Sequence, residues 1–260
     1  MIRGQRVLVT NDDGIDSKGL LALAVAARDA GLDVIVAAPR DQASGASAGI
    51  IAAEEHGRLL IERRELPGLD GVEAYAVHAL PGHIVLAATR GWLDPMPDLV
   101  LSGINHGANV GGAILHSGTV GAALTASVNG LRGLAVSLDV GLEPASPPHW
   151  DSAVHLLPDL LELLVGGPAG AVLTLNVPDR PIGALRELRL ARLAELGTVQ
   201  TRVDRVEDGQ LHLAVVELDQ TPEPGSDSAL LAAGHPTLTA IDSVREADSR
   251  WLSSALRQIA

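Results

Sequence analysis

The chain has 260 residues, of which 47% are hydrophobic, so it carries enough apolar material for a sizeable core, and global disorder is excluded. Asp and Glu (32) outnumber Lys and Arg (19), and the net charge of −13 repels polyanions. We therefore expect neither a nucleic-acid polymer nor an anionic membrane as a partner. Because cysteine is absent, disulfides, thiolate metal sites and thiol nucleophiles are excluded, and any metal must bind oxygen or imidazole ligands.

Transmembrane and targeting signals are weak. The longest helical apolar stretch, Leu20–Ala27, is far shorter than the ~20 residues that a membrane-spanning helix needs. The N-terminal residues reach Asp12 and Asp13 before any long apolar run, which argues against a targeting segment. We therefore expect an unanchored, cytoplasmic protein.

Strand and helix signals alternate from the N-terminus. Arg6–Thr10 is a short run rich in β-branched residues, and it ends at the turn-forming Asn11–Gly14. Ser17–Ala30 is rich in Leu and Ala and ends at Gly31, as helices often do, and Asp33–Ala37 is a second apolar strand. Nearly continuous apolar strands joined by a helix predict a parallel sheet that is covered on both faces.

The same alternation continues to about residue 180. The next predicted elements are a strand, a helix, a strand, a helix and a strand, at Asp98–Ser102, Thr119–Asn129, Leu134–Ser137, Trp150–Val165 and Ala171–Leu175. We expect a doubly wound α/β core over residues 1–182. Ligands of such sheets bind at the carboxyl ends of the strands.

Residues 183–242 follow a different pattern. Gln210–Glu217 alternates apolar and polar residues after the turn candidate Glu207–Gly209, which indicates antiparallel hairpins. Because exposed hairpins favour association or strand exchange, we expect this extension to mediate oligomerisation. Residues 243–260 are expected to form a C-terminal helix.

Adjacent carboxylates follow the first predicted strand. Asp12 and Asp13, within Asn11–Gly14, cannot both be buried without a cation or protons to offset their repulsion. A divalent metal with oxygen ligands meets that need. The alternative is a solvated turn, because Asn, Asp and Gly are ordinary turn formers.

Two polar loops follow later strands. Asp41–Ser47 offers hydroxyls and a flexible backbone, although a simple polar loop explains it equally well. Ser102–Gly112 combines Asn105 and Asn109 with four glycines, which suits Mg²⁺, Mn²⁺ or Ca²⁺ through amide oxygens and an anion through backbone N–H groups. Its alternative is a tight structural loop. The dinucleotide and P-loop patterns do not occur in it.

The segment His116–Thr119 directly precedes a predicted helix. Free N–H groups and the helix dipole favour a phosphate at such a position, although Ser117 or Thr119 also fits a simple N-cap. Together the loops place carboxylates, hydroxyls, amide oxygens and a helix N-terminus at one sheet edge. That combination predicts metal-assisted attack of water on a phosphate ester.

At these residues the sequence resembles the survival protein E family, the stationary-phase survival nucleotidases. The matching segments, in order and at family-like spacing, are Val7–Ile15, Ala38–Ser47, Leu101–Asn109 and Leu115–Val120, with weaker similarity at Leu175–Pro178 and Gly234–Thr239. The resemblance implies a Rossmann-like, mostly parallel sheet with a C-terminal β-hairpin extension, and assembly into dimers or tetramers. It also implies removal of phosphate from nucleoside 5′- and 3′-monophosphates with one divalent cation per subunit.

The resemblance further implies roles for individual residues. The metal ligands would be Asp12, Asp13, Ser44 and Asn105. The residues around the phosphate would be Asn11, Gly45, Asn109, Ser117, Gly118 and Thr119. Asn109 and the amides of the helix start would stabilise developing negative charge, and one of the two carboxylates or His116 would handle the proton.

Two segments depart from the family pattern. His83, within Leu80–Ile84, stands where the family usually has an acidic residue, and His235–Ala240 lacks an aromatic residue and a proline. These changes leave open a phosphorylated metabolite or sugar as the substrate, and a catalytically silent metal- or nucleotide-binding paralogue as a further alternative. Because Tyr75 and the three tryptophans lie outside the matching segments, we expect selectivity to rest on the phosphate more than on a stacked base.

Overall fold

A computed structural model of the chain describes residues 2–50, 54–55, 58–141, 147–195, 199–207, 210–217, 222–244 and 246. Within these ranges the strands are β1 (Arg6–Thr10), β2 (Asp33–Pro39), β3 (Glu54–Glu55), β4 (Arg58–Leu59), β5 (Ile61–Arg64), β6 (Glu73–Val77), β7 (Leu99–His106), β8 (Arg132–Asp139), β9 (Val172–Pro178), β10 (Arg189–Leu190), β11 (Val199–Glu207), β12 (Gln210–Glu217) and β13 (Thr237–Ile241).

The helices lie mostly between successive strands. They are α1 (Lys18–Asp29), α2 (Pro81–Ala87), α3 (Gly118–Val128), α4 (Trp150–Val154), α5 (Leu157–Gly166) and α6 (Asp227–Ala232). Shorter helical turns occupy Ala88–Trp92, Gly111–His116 and Ile182–Ala184. None of the helices in the described ranges has both the length and the apolar character needed to cross a bilayer.

Nine strands form one sheet in the order β10-β13-β9-β8-β7-β1-β2-β6-β5. The six central strands, from β9 to β6, are parallel, whereas β5 and β13 run antiparallel to their inner neighbours. The chain builds the sheet from β1 towards β6 and then returns to β7 to build it in the other direction. The predicted doubly wound, mostly parallel α/β fold is confirmed.

Both faces of the central sheet are buried, which explains the continuous apolar strands. In β1, Val7 and Val9 pack with α1 and α5 on one face, and Leu8 packs with α2 and α3 on the other. Every residue from Val7 to Thr10 is fully buried. Alternate side chains therefore enter two separate cores, as expected for a parallel sheet between helical layers.

The predicted helix over Trp150–Val165 is wrong as a single element, because it divides into α4 and α5. Pro158 lies in the first turn of α5, where a helix needs no N–H donor, whereas inside a continuous helix its ring would clash with the preceding turn. The predicted strand Asp98–Ser102 is also too short. The strand β7 continues to His106, so Asn105 lies within the end of this strand.

The C-terminal part contains an antiparallel hairpin, as predicted. β11 pairs with β12 from Val199 opposite Glu217 to Glu207 opposite Gln210. The hairpin contains fewer residues than the predicted extension over residues 183–242. The other two strands of that region, β10 and β13, belong to the main sheet. The C-terminal helix predicted for residues 243–260 lies outside the described residues, apart from residues 243, 244 and 246.

Candidate active site

The candidate site lies where the direction of sheet building reverses. β1 and β7 are neighbours, with Thr10 opposite Ser102, but the connections after them run to opposite sides of the sheet. In doubly wound sheets, such a divergence leaves a crevice at the carboxyl ends of the two strands, and ligands usually bind there. The predicted segments Asn11–Gly14 and Asn105–Asn109 both begin at this crevice.

Asp12 is buried against the N-terminus of α3. Its Oδ1 accepts a hydrogen bond from the Thr119 hydroxyl, and the backbone N–H groups of Gly118 and Thr119 also bond to its carboxylate. A Cβ on Gly118 would lie 2.8 Å from the Asp12 Oδ2, so only glycine allows this approach. Burial raises the pKa of Asp12 despite these hydrogen bonds.

Asp13 lies beside Asp12 and faces β7. Its Oδ2 accepts a hydrogen bond from the backbone N–H of His106 at 3.1 Å. Burial raises the pKa of Asp13, and the neighbouring Asp12 charge raises it further. Two adjacent carboxyls whose charged forms are both disfavoured form a site that a cation would stabilise.

Asn11 shapes the loop that carries these aspartates. Its Nδ2 donates to the Gly14 carbonyl at 3.1 Å and to the Ser17 hydroxyl at 2.7 Å, and its Oδ1 accepts from the Gly14 N–H at 3.2 Å. Ser17 in turn caps α1 by accepting from the Leu20 N–H. The fully buried Asn11 side chain therefore links the aspartate loop to the start of α1.

The loop after β2 borders the crevice on the α3 side. The Ala43 N–H donates to the Asp12 carbonyl at 2.7 Å, which ties this loop to the aspartates. The exposed Ser44 hydroxyl accepts from the Gln42 amide at 3.0 Å, and the adjacent Gly45 is also exposed. At the far end, the Ser47 hydroxyl donates to the Leu115 carbonyl at 2.7 Å.

Gly121 allows the β2 loop to pack directly on α3. A Cβ at this position would lie 2.3 Å from the Ser47 carbonyl oxygen. The Ser47 N–H also donates to the His116 carbonyl at 3.2 Å, so the loop contacts the segment that enters α3. The three predicted loops therefore form one hydrogen-bonded unit.

Asn105 and Asn109 are held in different ways. The Asn105 Nδ2 donates to the Gly107 carbonyl at 2.8 Å. The Asn109 Nδ2 donates to the Ser137 hydroxyl at 2.8 Å, and its backbone exchanges two hydrogen bonds with the Asn176 side chain. Each Nδ2 uses one of its two N–H donors on a protein acceptor, so the amide oxygens can bind a cation and the second N–H groups can bind an anion.

Ser117 is the N-cap of α3, because its hydroxyl accepts from the Val120 N–H at 3.1 Å. Gly118 and Thr119 are buried beneath Asp12, as described above. His116 is exposed at the end of the short helical turn that begins at Gly111. The predicted segments follow β1, β2 and β7 or begin α3, but they differ in what they can offer a ligand. The fully buried Asn11 side chain bonds only to Gly14 and Ser17, so it shapes its loop and has no exposed group for a phosphate. The Gly118 and Thr119 N–H groups, expected to meet a phosphate, bond to the Asp12 carboxylate.

Three residues that sequence reasoning missed support the loop after β7. Asn176 holds the backbone of Asn109, Ser137 holds its side chain, and Asp227 accepts the Gly111 N–H at 2.8 Å. All three are buried. A polar residue in an otherwise apolar strand is a sequence signal for Asn176 and Ser137, but the sequence carries no sign of the partner of Asp227.

The fold and site define a class of protein. It has a doubly wound α/β sheet, and paired carboxylates, asparagines and a helix N-terminus lie close together at the switch point, where the direction of sheet building reverses. The family model described as "Survival protein SurE" matches residues 7–199. The chain therefore belongs to the SurE family.

Relatives named 5′-nucleotidase SurE match along most of the chain. The protein from Desulfovibrio desulfuricans is 37% identical over 90% of this chain and 91% of its own length. The protein from Parvibaculum lavamentivorans is 31% identical over 98% of this chain and 92% of its own length. The crystal structure of SurE from Aquifex aeolicus has a TM-score of 0.79 and 24% identity, and the alignment covers 98% of this chain and 100% of that chain, which supports the fold.

Proposed function

We propose that this chain is a metal-dependent 5′-nucleotidase that hydrolyses nucleoside 5′-monophosphates, and also 3′-monophosphates, to nucleoside and phosphate. The observation that carries the proposal is the pair Asp12 and Asp13, partly or fully buried side by side at the switch point, with raised pKa values. Membership of a family whose named relatives are 5′-nucleotidases supports the same activity.

The residues at the site fit a divalent cation. In the described part of the chain, no group of three or more His, Cys, Asp or Glu side chains is placed to hold a metal, so the carboxylates need neutral oxygen ligands as partners. Ser44 and Asn105 supply a hydroxyl and an amide oxygen from the two flanking loops. Such an all-oxygen set suits Mg²⁺, Mn²⁺ or Ca²⁺. When bound, the cation would lower the pKa of a water molecule and offset negative charge.

The remaining residues have roles at the phosphate. Asn109, fixed through its backbone by Asn176, would donate the second N–H of its Nδ2, the one not bonded to Ser137, to the developing negative charge. Gly45, exposed and without a side chain, leaves its loop open to a phosphate oxygen. His116 is exposed, so its imidazole could give a proton to the leaving oxygen.

Replacing Asp13 with Asn tests the proposal. The amide keeps the shape of the side chain and can still accept from the His106 N–H, but it removes the charge that the cation requires. We expect phosphate release from nucleoside monophosphates with Mg²⁺ or Mn²⁺ to fall at least about a thousandfold, because metal-assisted activation of water is lost.

Asp16→Asn is the matched control, since it makes the same chemical change in the same loop. Asp16 is exposed and pairs with Arg64 at 2.6 Å, a surface contact of small energetic value. Full activity in Asp13→Asn would contradict the proposal.

A panel of substrates that includes sugar phosphates distinguishes a nucleotidase from a sugar or metabolite phosphatase. Absence of turnover on every phosphate monoester would indicate a catalytically silent paralogue.

We also infer that the β11–β12 hairpin mediates assembly into dimers or tetramers. An isolated two-stranded hairpin is marginal in water, so association would stabilise it. Replacing residues 199–217 with a short Gly/Ser linker should give a monomer in analytical ultracentrifugation, while the full chain sediments as an oligomer. A monomeric full chain would contradict this inference.

A further inference from the structure

Two ring–ring contacts occur among the residues that the structure describes, and they lie in different environments. Tyr75 and Trp92 meet edge to face at 5.6 Å between centroids and pack against the core on the α2 side. His106 and Trp150 meet at 6.0 Å between ring centroids with an interplanar angle of 51°, at the carboxyl end of β7. The second pair therefore lies beside the candidate active site, although Trp150 is 44 residues away from His106 in sequence.

The His106 ring is tied to the site through its own backbone. The His106 N–H donates to Asp13 Oδ2 at 3.1 Å, and Asn105 immediately precedes it. The imidazole itself is exposed to solvent. A ligand whose phosphate lies near Asp13 would therefore have this ring within reach of its remaining part.

The position of Trp150 is fixed by several contacts. A Cβ on Gly19 would lie 2.1 Å from the Ile104 carbonyl oxygen and 3.1 Å from an indole carbon, so glycine lets α1 pack closely against both β7 and the Trp150 ring. His149, directly before Trp150, donates its N–H to Asp179 Oδ1 at 2.7 Å, and its Nδ1 lies 2.8 Å from the same oxygen. Asp179 follows the end of β9, so the indole is held against the same sheet edge as the aspartates.

From this arrangement we infer that His106, supported from behind by Trp150, is the surface on which the base of a nucleotide stacks. Imidazole and indole rings are common stacking partners of unpaired bases, and every base offers a π face, so stacking selects for a nucleoside without selecting one base. The inference rests on the proposed nucleotidase function and names the part of the substrate that this ring recognises. It also shows how a chain poor in aromatic residues can recognise a base.

The test compares ligands with and without a base. Adenosine binding, measured by calorimetry, requires no turnover, and the kcat/KM ratio of AMP to ribose 5-phosphate isolates the contribution of the base. In His106→Ala, whose backbone N–H still bonds to Asp13, we expect both adenosine affinity and the ratio to fall about tenfold. His106→Phe, which keeps a ring but cannot ionise, should stay within about twofold of the unmodified chain.

Trp92→Leu is the matched control, because it removes a ring from the other pair. If His106→Ala lowers the rates on AMP and ribose 5-phosphate equally and leaves adenosine binding unchanged, the stacking role is wrong. A chain that hydrolyses AMP but does not bind adenosine also overturns it, while the nucleotidase function stands. A chain that binds adenosine through His106 but hydrolyses no monoester overturns the proposed function and leaves the stacking role in place.

Discussion

Asp12 contacts the N-terminus of α3 and Asp227 begins α6, and the two buried aspartates differ in whether a second carboxylate lies beside them. Both are almost inaccessible to solvent, at 4% and 1% exposure. Asp227 accepts the N–H groups of Gly111, Ala194 and Ser228 at 2.8–2.9 Å, so its charge is matched by three donors from separate parts of the chain. Asp12 has donors as well, but burial outweighs them, and a second carboxylate lies beside it.

The difference separates a structural carboxylate from a candidate functional one. A buried charge that is fully hydrogen-bonded joins distant segments and has no need of a further ligand. A buried charge next to another of the same sign remains poised for a cation. Both residues are buried and both accept several hydrogen bonds, and the adjacent Asp13 carboxylate is what distinguishes Asp12.

The largest effect on stability is expected from removing the Asp227 carboxylate. Asp227→Ala leaves three N–H groups without their acceptor, so the free energy of unfolding should fall by about 3 kcal/mol. The Gly111 end of the segment that carries His116 would also lose its anchor. Because small displacements of site groups can cost about a hundredfold in rate, we expect kcat/KM to fall by about that factor.

Ser226→Ala is the control for this variant. It removes the Ser226 hydroxyl that accepts the Ala229 N–H at 3.2 Å, which weakens α6 by about 1 kcal/mol but leaves Gly111 untouched. Both variants are to be assayed at a temperature at which each is folded. If they lose activity only in proportion to their loss of stability, Asp227 supports α6 and has no positioning role at the site.

Replacing Asp13 in the metal-free protein should change stability less, and in the opposite direction: the free energy of unfolding should rise. Burial raises the pKa values of Asp12 and Asp13 above the ordinary 3.8, so the folded chain holds these protons more tightly than the unfolded chain. Their ionisation therefore destabilises the fold above the raised pKa values, and the penalty is lost as the pH falls towards 3.8. Asp13→Asn should therefore stabilise the metal-free chain at neutral pH, where the ionised carboxylate carries this penalty.

Urea unfolding with a chelator, at neutral and acid pH, measures this effect. The gain should shrink as the pH is lowered through the raised pKa values, and Asp16→Asn should show no such gain. A destabilised Asp13→Asn at neutral pH would mean that hydrogen bonding from His106 outweighs the effects of burial and repulsion. Asp13 would then resemble Asp227 more than Asp12.

Local patterns were enough to predict the doubly wound core and the segments around the crevice. The apolar runs of β1 and β2 mark buried parallel strands, and the polar residues after them must meet where such strands end. The contributions of Asn176, Asp227 and Trp150 could not be predicted, because each acts through a contact with a residue far away in sequence. The place of β13 in the main sheet is likewise set by its pairing with β9, which no local pattern reveals.

The hydrogen bonds around Asp227 also close the base of the segment that carries the hairpin. The Asp227 N–H donates to the Arg192 carbonyl at 2.8 Å, and the Arg192 N–H donates to the Gly225 carbonyl at 3.2 Å. The Ala194 N–H bonds to the Asp227 side chain. These hydrogen bonds hold together the two ends of the segment that carries the hairpin, and the same Asp227 side chain holds Gly111. The length of the hairpin can therefore change between these two ends while the anchor of Gly111 stays in place.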